Sequence, residues 1–301
     1  MVLLGFCGRV NGVRSVTAAI PAYNAERYLA EAIESVRSQT YPCAECLVID
    51  DGSTDGTAEV AHSIDGVKYI YQPNGGDASA RNRAISEASS EFIAFLDSDD
   101  VWLSNKVEAQ IDLFDRRPGL GMVYSGVYEV DEALRTIDVQ PAADGTVALR
   151  NTLIVEKPYM TGIGSTAVVP VDVALKVRFD ERLRASSDWA FACRLAMSYP
   201  VEGIEEPLAL YRQHGNPQVH KNLASIEEDM HLVWGEVFSD ETLPAYLRKY
   251  RRRAAANLDL SLAASSHAVG AQRDFTRYLL RALARRPDRV VSAFWRRYLG
   301  P

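Results

Sequence analysis

Three aspartates stand within four positions at the end of one apolar segment of the chain. Residues 92–96 have the composition of a buried strand, and Asp97, Asp99 and Asp100 follow it directly. Carboxylates this close raise one another's pKa values unless a cation lies beside them, and oxygen ligands suit Mg²⁺ and Mn²⁺. The D-x-D pattern therefore indicates a divalent-metal site. A turn or a helix cap, which favours the same residue types, is the alternative interpretation.

Further candidate residues follow two earlier strand-like segments. Residues 15–20 are followed by Pro21 and Tyr23, and residues 46–50 are followed by Asp51. In a parallel sheet, ligands bind outside the carboxyl ends of the strands, where the loops converge on one crevice. We therefore expect these residues and the aspartates after residue 96 to face the same pocket.

The first hundred residues alternate between strand-like and helical segments, which predicts right-handed βαβ units and a mostly parallel sheet with helices on both faces. Within the first helical segment, Leu29, Ile33 and Val36 share one face. The predicted strands are residues 15–20, 46–50, 67–72 and 91–96, and the predicted helices are residues 25–39, 57–64 and 78–88.

The middle of the chain mixes the two kinds of signal. Helices are predicted at residues 105–118 and 187–200, and strands at residues 120–130, 162–169 and 207–212. Asp188 stands in the first turn of the second helix, where a carboxylate is favourable against the helix dipole.

From about residue 241 the chain becomes helical with a basic surface. Arginines and a lysine far outnumber the three aspartates of this region, and residues 257–287 predict a helical hairpin. The basic helices either pack against the rest of the protein with a solvated face, or they contact an anionic membrane surface or a partner. The first of these alternatives is favoured.

Composition excludes several classes of protein. The chain has 301 residues, 47% of them hydrophobic, and a formal charge of -7, which argues against a nucleic-acid binder with a broad basic face. The sequence contains no apolar run long enough for a membrane helix, and its opening apolar segment is too short for a secretory signal, so we expect a cytoplasmic protein.

Cys43 and Cys46 form a C-x-x-C pair that lacks the partners of a zinc site, and core cysteines are the favoured interpretation.

The segments IPAYNAERYLAEAIESVRSQTYPCAECLVIDDGSTDGT, NGGDASARNRAI and FIAFLDSDD resemble family 2 glycosyltransferases over roughly residues 15–215. The resemblance implies the GT-A fold, a nucleotide-diphospho-sugar transferase-like α/β architecture, here with a C-terminal helical extension. We expect an N-terminal extension at 1–14, the GT-A domain at 15–240 and a basic helical region at 241–301. The domain would divide into a donor half at about 15–118 and an acceptor half at about 119–240.

The resemblance also implies roles on the donor side. Pro21, Tyr23 and Asp51 look like the residues that hold the nucleoside, usually uridine. Asp97 resembles the aspartate that meets the ribose or the metal, and Asp99 the ligand of Mn²⁺ or Mg²⁺ on the diphosphate. For these residues, strand ends and turn caps are the alternative roles.

Three more residues receive roles from the family pattern. Arg81 would contact the nucleotide, although an arginine at this point of a helix can pair with a neighbouring acid instead. Asp188 in ASSDWAF resembles the general base, and a helix-capping role is compatible with it. His214 in LYRQHGNP resembles the residue that completes the metal or diphosphate shell, and an ordinary surface histidine is the alternative.

The implied activity is metal-dependent, inverting transfer of one sugar from a nucleotide-sugar, first of all a UDP-sugar, to an acceptor hydroxyl. The processive relatives' Q-x-x-R-W sequence and membrane spans are absent from this sequence, which favours a single transfer over polymer synthesis. Surface polysaccharide, glycolipid and natural-product acceptors all fit. A catalytically silent binding or scaffold protein of the same fold is the alternative.

Overall fold

The structure is a computed structural model that describes residues 9–10, 13–156, 160–213, 223–288 and 290. The prediction for His214 falls outside these residues, as do most of the expected N-terminal extension and the end of the basic C-terminal region. The strands are β1 Arg9–Val10, β2 Val13–Arg14, β3 Val16–Ala22, β4 Glu45–Asp50, β5 Val67–Tyr71, β6 Phe92–Phe95, β7 Val101–Trp102, β8 Met122–Val130, β9 Thr136–Gln140, β10 Val168–Pro170 and β11 Val201–Arg212.

Helices connect these strands and form the C-terminal part of the described chain. They are α1 Leu29–Arg37, α2 Thr57–His62, α3 Asp77–Glu87, α4 Lys106–Arg116, α5 Gly145–Leu153, α6 Ile163–Thr166, α7 Val171–Val177, α8 Ser187–Ser198, α9 Leu223–Val237, α10 Ala245–Arg248, α11 Arg251–Ala268 and α12 Gln272–Arg285.

One large sheet runs through the molecule in the order β5-β4-β3-β6-β10-β8-β11-β7, with β9 paired to β8. The strands β3, β4, β5 and β6 pair in parallel, which confirms the βαβ prediction for the first hundred residues. The rest of the sheet is mixed, because β10, β7 and β9 pair antiparallel while β8 and β11 pair in parallel. The predicted α/β class is confirmed, and parallel pairing predominates in the first hundred residues.

Helices cover both faces of this sheet, so successive residues of a central strand enter two different cores. Ala18 and Ile20 of β3 pack towards α1 and α4, whereas Ala19 packs towards α3, α7 and α8. All seven residues of β3 are buried, which explains its continuous apolar sequence. Helix α1 buries Leu29 and Ile33 as predicted, and burial of a side chain of this size contributes about 1.5–3 kcal/mol.

The predicted strand at residues 162–169 is wrong over most of its length. Gly162 adopts the left-handed conformation with φ 57°, and its carbonyl accepts bonds from the N–H groups of Ser165 and Thr166. The short helix α6 results, and β10 begins only at Val168. Tertiary contacts explain the difference: a Cβ at Gly164 would lie 2.5 Å from Asp97 Oδ2, so this turn is packed against the predicted site.

The C-terminal helices share a third core with α5 and α8. Met230 and Trp234 of α9 and Leu258 of α11 pack with Leu153 and Cys193. The predicted helical hairpin corresponds to α11 and α12, and some of its basic excess is paired, since Arg281 and Arg285 both contact Asp259. Among the described residues, no helix combines the length and the apolar character needed to cross a membrane.

The cysteines support the core interpretation. Cys46 and Cys193 are buried and unpaired in the described structure, and Cys43 is half-buried. Burial raises the pKa of the Cys43 and Cys46 thiols to about 12, which keeps them protonated at neutral pH.

Candidate functional site

A cleft of about 730 Å³ opens at the carboxyl ends of β3, β4 and β6 and extends to the start of α8. Every predicted site residue in the described part of the chain lines this cleft: Pro21, Tyr23, Asp51, Arg81, Asp97, Asp99 and Asp188. The structure therefore brings together residues that are up to 167 positions apart in the sequence, from 21 to 188.

One wall of the cleft is formed by Pro21 and Tyr23. Pro21 belongs to β3, while Tyr23 lies just beyond the strand, lines the cleft and is 54% exposed. Asn24 turns the chain here with φ 50°, and its side-chain oxygen accepts a hydrogen bond from the N–H of Thr54. The loops after β3 and β4 are thus joined, and this wall has an aromatic face on which a base could stack.

Asp51 holds the loop that closes the same end of the cleft. Its carboxylate accepts bonds from Gln72 Nε2 at 2.7 Å and from the N–H groups of Gly75 and Gly76 at 2.9 and 2.8 Å. The loop also approaches Gly52, where φ is 82° and an added Cβ would lie 2.8 Å from the nitrogen of residue 74. Asp51 therefore shapes the binding wall, and its contact with a nucleobase stays a prediction.

Arg81 forms the centre of an ionic network on the cleft floor. The guanidinium is almost fully buried, pairs with Asp77 and lies 2.5 Å from Asp97 Oδ1. Its central carbon, Cζ, also lies over the Phe179 ring, 5.4 Å from the ring centroid. The pairing with a neighbouring acid, which the sequence left open as the alternative, is therefore present. A contact between Arg81 and a nucleotide stays a prediction.

The cleft carries more negative charge than Arg81 can neutralise. Desolvation raises the pKa of Asp97 to about 7, with Asp77, Asp99 and Asp188 acting in the same direction and Arg81 opposing them. Desolvation also raises the pKa of Asp188, where Arg81 again acts against the shift. A cation in this cleft would relieve the repulsion between the carboxylates.

The donor set of Asp97 and Asp99 fits a hard divalent cation. Both residues contribute carboxylate oxygens to the same cleft, and Mg²⁺ commonly takes one or two carboxylates and completes its shell with water and phosphate. The described residues contain no cluster of three or more His, Cys, Asp or Glu placed to enclose a metal. His214, the other predicted ligand, lies outside the described residues.

The third aspartate of the motif has a different environment. Asp100 is buried and accepts hydrogen bonds from Ser165 Oγ at 2.5 Å and from the N–H of Arg212 at 2.8 Å. Arg212 is buried as well and donates to the carbonyl of Asp99 at 2.7 Å. Asp100 and Arg212 therefore hold the turn that presents Asp97 and Asp99, and neither lines the cleft.

Asp188 lines the cleft from the first turn of α8. Its carboxylate accepts a bond from the N–H of Trp189 at 2.7 Å, and the N-cap position of the helix belongs to Ser186, so Asp188 is a first-turn acid and not the helix cap. The preceding Ser187 donates from Oγ to Asp77 at 2.9 Å. This bond ties the start of α8 to the start of α3.

Sequence reasoning missed two residues that shape the cleft. Asp77 lines it and receives both Arg81 and Ser187. Asn82 donates to the Phe179 carbonyl and accepts from the Phe179 N–H, which fixes the segment leading to Glu181 in the cleft wall. Both belong to GGDASARN, a segment in which the family pattern gives a role to Arg81 alone. Asn82 is a polar residue on the buried side of α3, which was a signal for it, whereas Asp77 is exposed and had no such signal.

Comparison with known sequences agrees with this geometry. The sequence profile of the family described as "Glycosyl transferase family 2" matches residues 17–162. An uncharacterized glycosyltransferase of Rickettsia typhi is 31% identical over 219 residues, which cover 71% of this chain and 68% of the relative. The chain belongs to glycosyltransferase family 2.

Solved structures show the same fold. The family 2 chain described here matches S. aureus TarS 1-349 in complex with UDP-GlcNAc with a TM-score of 0.66 and 19% identity, over 92% of this chain and 82% of TarS 1-349. It matches the Pyrobaculum calidifontis mannosyltransferase PcManGT, solved with GDP-Man and Mn²⁺, with a TM-score of 0.58 and 18% identity, over 89% and 86% of the two chains. The GT-A fold and the family, both predicted from sequence motifs, are confirmed.

Some relatives are much longer than this family 2 chain. The chain covers only 32 to 38% of the length of three uncharacterized glycosyltransferases from other Rickettsia species. The similarity to these three relatives therefore extends over 32 to 38% of their length and says nothing about the rest of them.

Proposed function

We propose that the protein is a metal-dependent, inverting and non-processive glycosyltransferase that moves one sugar from a nucleotide-sugar to an acceptor hydroxyl. The observation that carries the proposal is the meeting of Tyr23, Asp51, Asp97, Asp99 and Asp188 in one cleft at the strand ends. A UDP-sugar is the first candidate donor. TarS was solved with UDP-GlcNAc, and the GDP-Man complex of PcManGT makes guanosine donors the second candidate.

On the donor side, the exposed Tyr23 ring would stack on the base next to Pro21. The loop held by Asp51 would enclose the nucleoside from the other side. Asp99 and Asp97 would hold Mn²⁺ or Mg²⁺, with His214 as a further candidate ligand. The bound cation would act as a Lewis acid and would stabilise negative charge on the departing diphosphate.

On the acceptor side, Asp188 would accept the proton of the attacking hydroxyl. Desolvation raises the pKa of this carboxyl, which makes its ionised form a stronger base. Displacement in one step, with attack from the face opposite the leaving diphosphate, would invert the anomeric configuration. A surface polysaccharide, a glycolipid and a small natural product are the acceptor classes that we expect.

The first experiment is calorimetric titration with UDP, GDP and TDP, each with and without Mn²⁺. We expect one nucleotide to bind in a manner that needs the metal, and we expect Asp99→Ala to weaken that binding at least about tenfold, which corresponds to about 1.4 kcal/mol. Asp112→Ala is the matched control, because Asp112 is an exposed acid on α4 that pairs with Arg116 on the surface.

Binding and absence of binding have different consequences for the choice between an enzyme and a scaffold protein. Metal-dependent binding of one nucleotide justifies a screen of its sugar conjugates for transfer. If none of the three nucleotides binds to wild-type protein with Mn²⁺ present, the catalytic proposal is wrong, and a binding or scaffold role for the fold takes its place.

A further inference from the structure

A single carboxylate from α9 organises the loop that leads to Asp188. Asp229 Oδ2 accepts hydrogen bonds from three successive backbone N–H groups, those of Arg184, Ala185 and Ser186, at 3.0, 2.8 and 3.0 Å. The Asp229 side chain is buried, as is Ser186. Three N–H donors on one carboxylate oxygen form a compact contact that fixes the direction of the loop.

This loop is part of the cleft. Arg184 and Ala185 line it, and the chain continues directly into Ser187 and Asp188 at the start of α8. The loop is also held on its other side, because Ser187 Oγ donates to Asp77. The position of the Asp188 carboxylate therefore depends on one anchor from the donor half and one from α9.

Other contacts keep α9 in place independently of Asp229. Trp234 packs edge-to-face against Trp189 with 6.2 Å between the ring centroids, and its indole N–H donates to the Leu153 carbonyl at 3.1 Å. Glu236 pairs with Arg182 and Arg194 at 2.7 and 2.8 Å. Removal of the Asp229 carboxylate should therefore release the loop locally without detaching the helix.

We propose that Asp229 is a positioning residue for glycosyl transfer, which orders residues 184–188 so that Asp188 meets the acceptor hydroxyl. The inference rests on the proposed function. It also makes α9, which lies outside the part of the chain that the family profile matches, necessary for an ordered acceptor wall. Asp229 touches neither donor nor acceptor in this role and acts through the loop.

Backbone hydrogen exchange tests the ordering directly and needs no substrate. We expect Asp229→Ala to speed exchange in a peptide covering residues 183–189 while β3, β4 and α11 keep their protection. Asp229→Asn should give an intermediate result, because its amide oxygen can still accept the three bonds but carries no charge. Glu228→Ala is the matched control, since the neighbouring Glu228 is exposed.

Donor hydrolysis tests the catalytic consequence. UDP-glucose, UDP-N-acetylglucosamine and GDP-mannose are the probes, each with Mn²⁺ and with water as acceptor. On the donor that wild type hydrolyses, we expect Asp229→Ala to lower kcat about 10- to 100-fold, as small misplacements of a catalytic group do, while KM and nucleotide affinity change by less than about threefold. Asp229→Asn should recover part of kcat.

Each other outcome counts against the inference. Unchanged exchange at 183–189, or faster exchange with unchanged kcat, shows that Asp229 does not position the loop for catalysis. A parallel loss of nucleotide binding, kcat and overall protection shows a general structural role. If wild type binds and hydrolyses none of the donors, the proposed function fails and so does the catalytic part of this inference, whereas the exchange data still decide whether Asp229 orders the loop.

Discussion

At the residue scale, the main feature of the cleft is the buried guanidinium of Arg81, which has acidic side chains around it. Arg81 contacts Asp77 and Asp97 directly, and Asp188 is close enough for the charges of Arg81 and Asp188 to influence each other's pKa. Desolvation raises the pKa values of Asp97 and Asp188 even though the Arg81 cation acts against both shifts.

The role of Asp188 can be separated from its place at a helix terminus. We expect Asp188→Asn to lower kcat about 10²- to 10⁴-fold, the range typical of losing a general base, while nucleotide affinity is retained. The measurement is the steady-state rate of donor hydrolysis together with calorimetric binding of the nucleotide that wild type prefers.

Asp172→Asn is the matched control for Asp188→Asn. Asp172 is an exposed acid in the first turn of α7 and pairs with Lys176, so its loss should cost only about 0.3–1 kcal/mol of stability. If Asp188→Asn lowers the melting temperature like the control and keeps full activity, Asp188 serves as a helix-terminal residue only.

At the scale of elements, α4 is attached to the sheet through a buried lysine. Lys106 at the start of this helix is fully buried, donates to Gln110 Oε1 at 2.7 Å and lies 4.2 Å from the Trp102 ring centroid. Among the described residues, no carboxylate is among the groups that shift the pKa of Lys106. Burial lowers the pKa of Lys106 to about 7, against a small opposing effect of Cys43.

This burial makes stability depend on pH. Between the folded pKa of about 7 and the ordinary value of 10.5, the unfolded chain binds more protons, so the free energy of unfolding rises with pH by at most about 1.4 kcal/mol per unit. We expect Lys106→Met to remove this slope, so that its advantage over wild type is largest below pH 7 and shrinks towards pH 10.5.

Urea unfolding at several pH values between about 6 and 10 measures that slope. The absolute stability of Lys106→Met is less informative, because Gln110 loses a hydrogen-bond partner at every pH. Lys249→Met is the control, since Lys249 is exposed and should leave the slope unchanged. Equal slopes for wild type and Lys106→Met would contradict the buried-charge account.

At the scale of the whole molecule, the C-terminal helices form part of the third core together with earlier elements of the chain. Leu247, Leu258 and Tyr278 are buried against α9, α5 and α8 in the third core. The division of the chain at residue 240 stays a prediction, but these contacts argue that the parts on either side depend on each other.

Truncation tests that dependence. We expect a chain that ends at residue 240 to lose cooperative unfolding or to aggregate, because each large side chain uncovered costs about 1.5–3 kcal/mol and total stability is only about 5–15 kcal/mol. A chain that ends at residue 288 keeps the third core and is the control. Circular dichroism melts of both proteins decide the matter, and a 240-residue chain that melts like the control would show an independent domain.

Much of the architecture was predictable because it depends on local pattern. The sequence shows the helical spacing of apolar residues in α1 and the alternation of strands and helices. It also shows the polar residues just after β3, β4 and β6. Since parallel strands end at one edge of the sheet, these endings predicted a common cleft without any knowledge of packing.

Tertiary contacts decided the rest. The helix at 163–166 depends on the close approach of Gly164 to Asp97, and the different environments of Asp97 and Asp100 depend on Ser165 and Arg212. Asp229 meets its loop across more than 40 positions.

By itself, therefore, the sequence determined the α/β class, the family and the edge of the sheet where the site lies, because short-range periodicity and strand endings encode them. Only the tertiary structure decided which acids face the cleft and which hold the turns beside it. The physical reason is that each of those roles depends on partners brought close by folding, whose burial and hydrogen bonds no local pattern records.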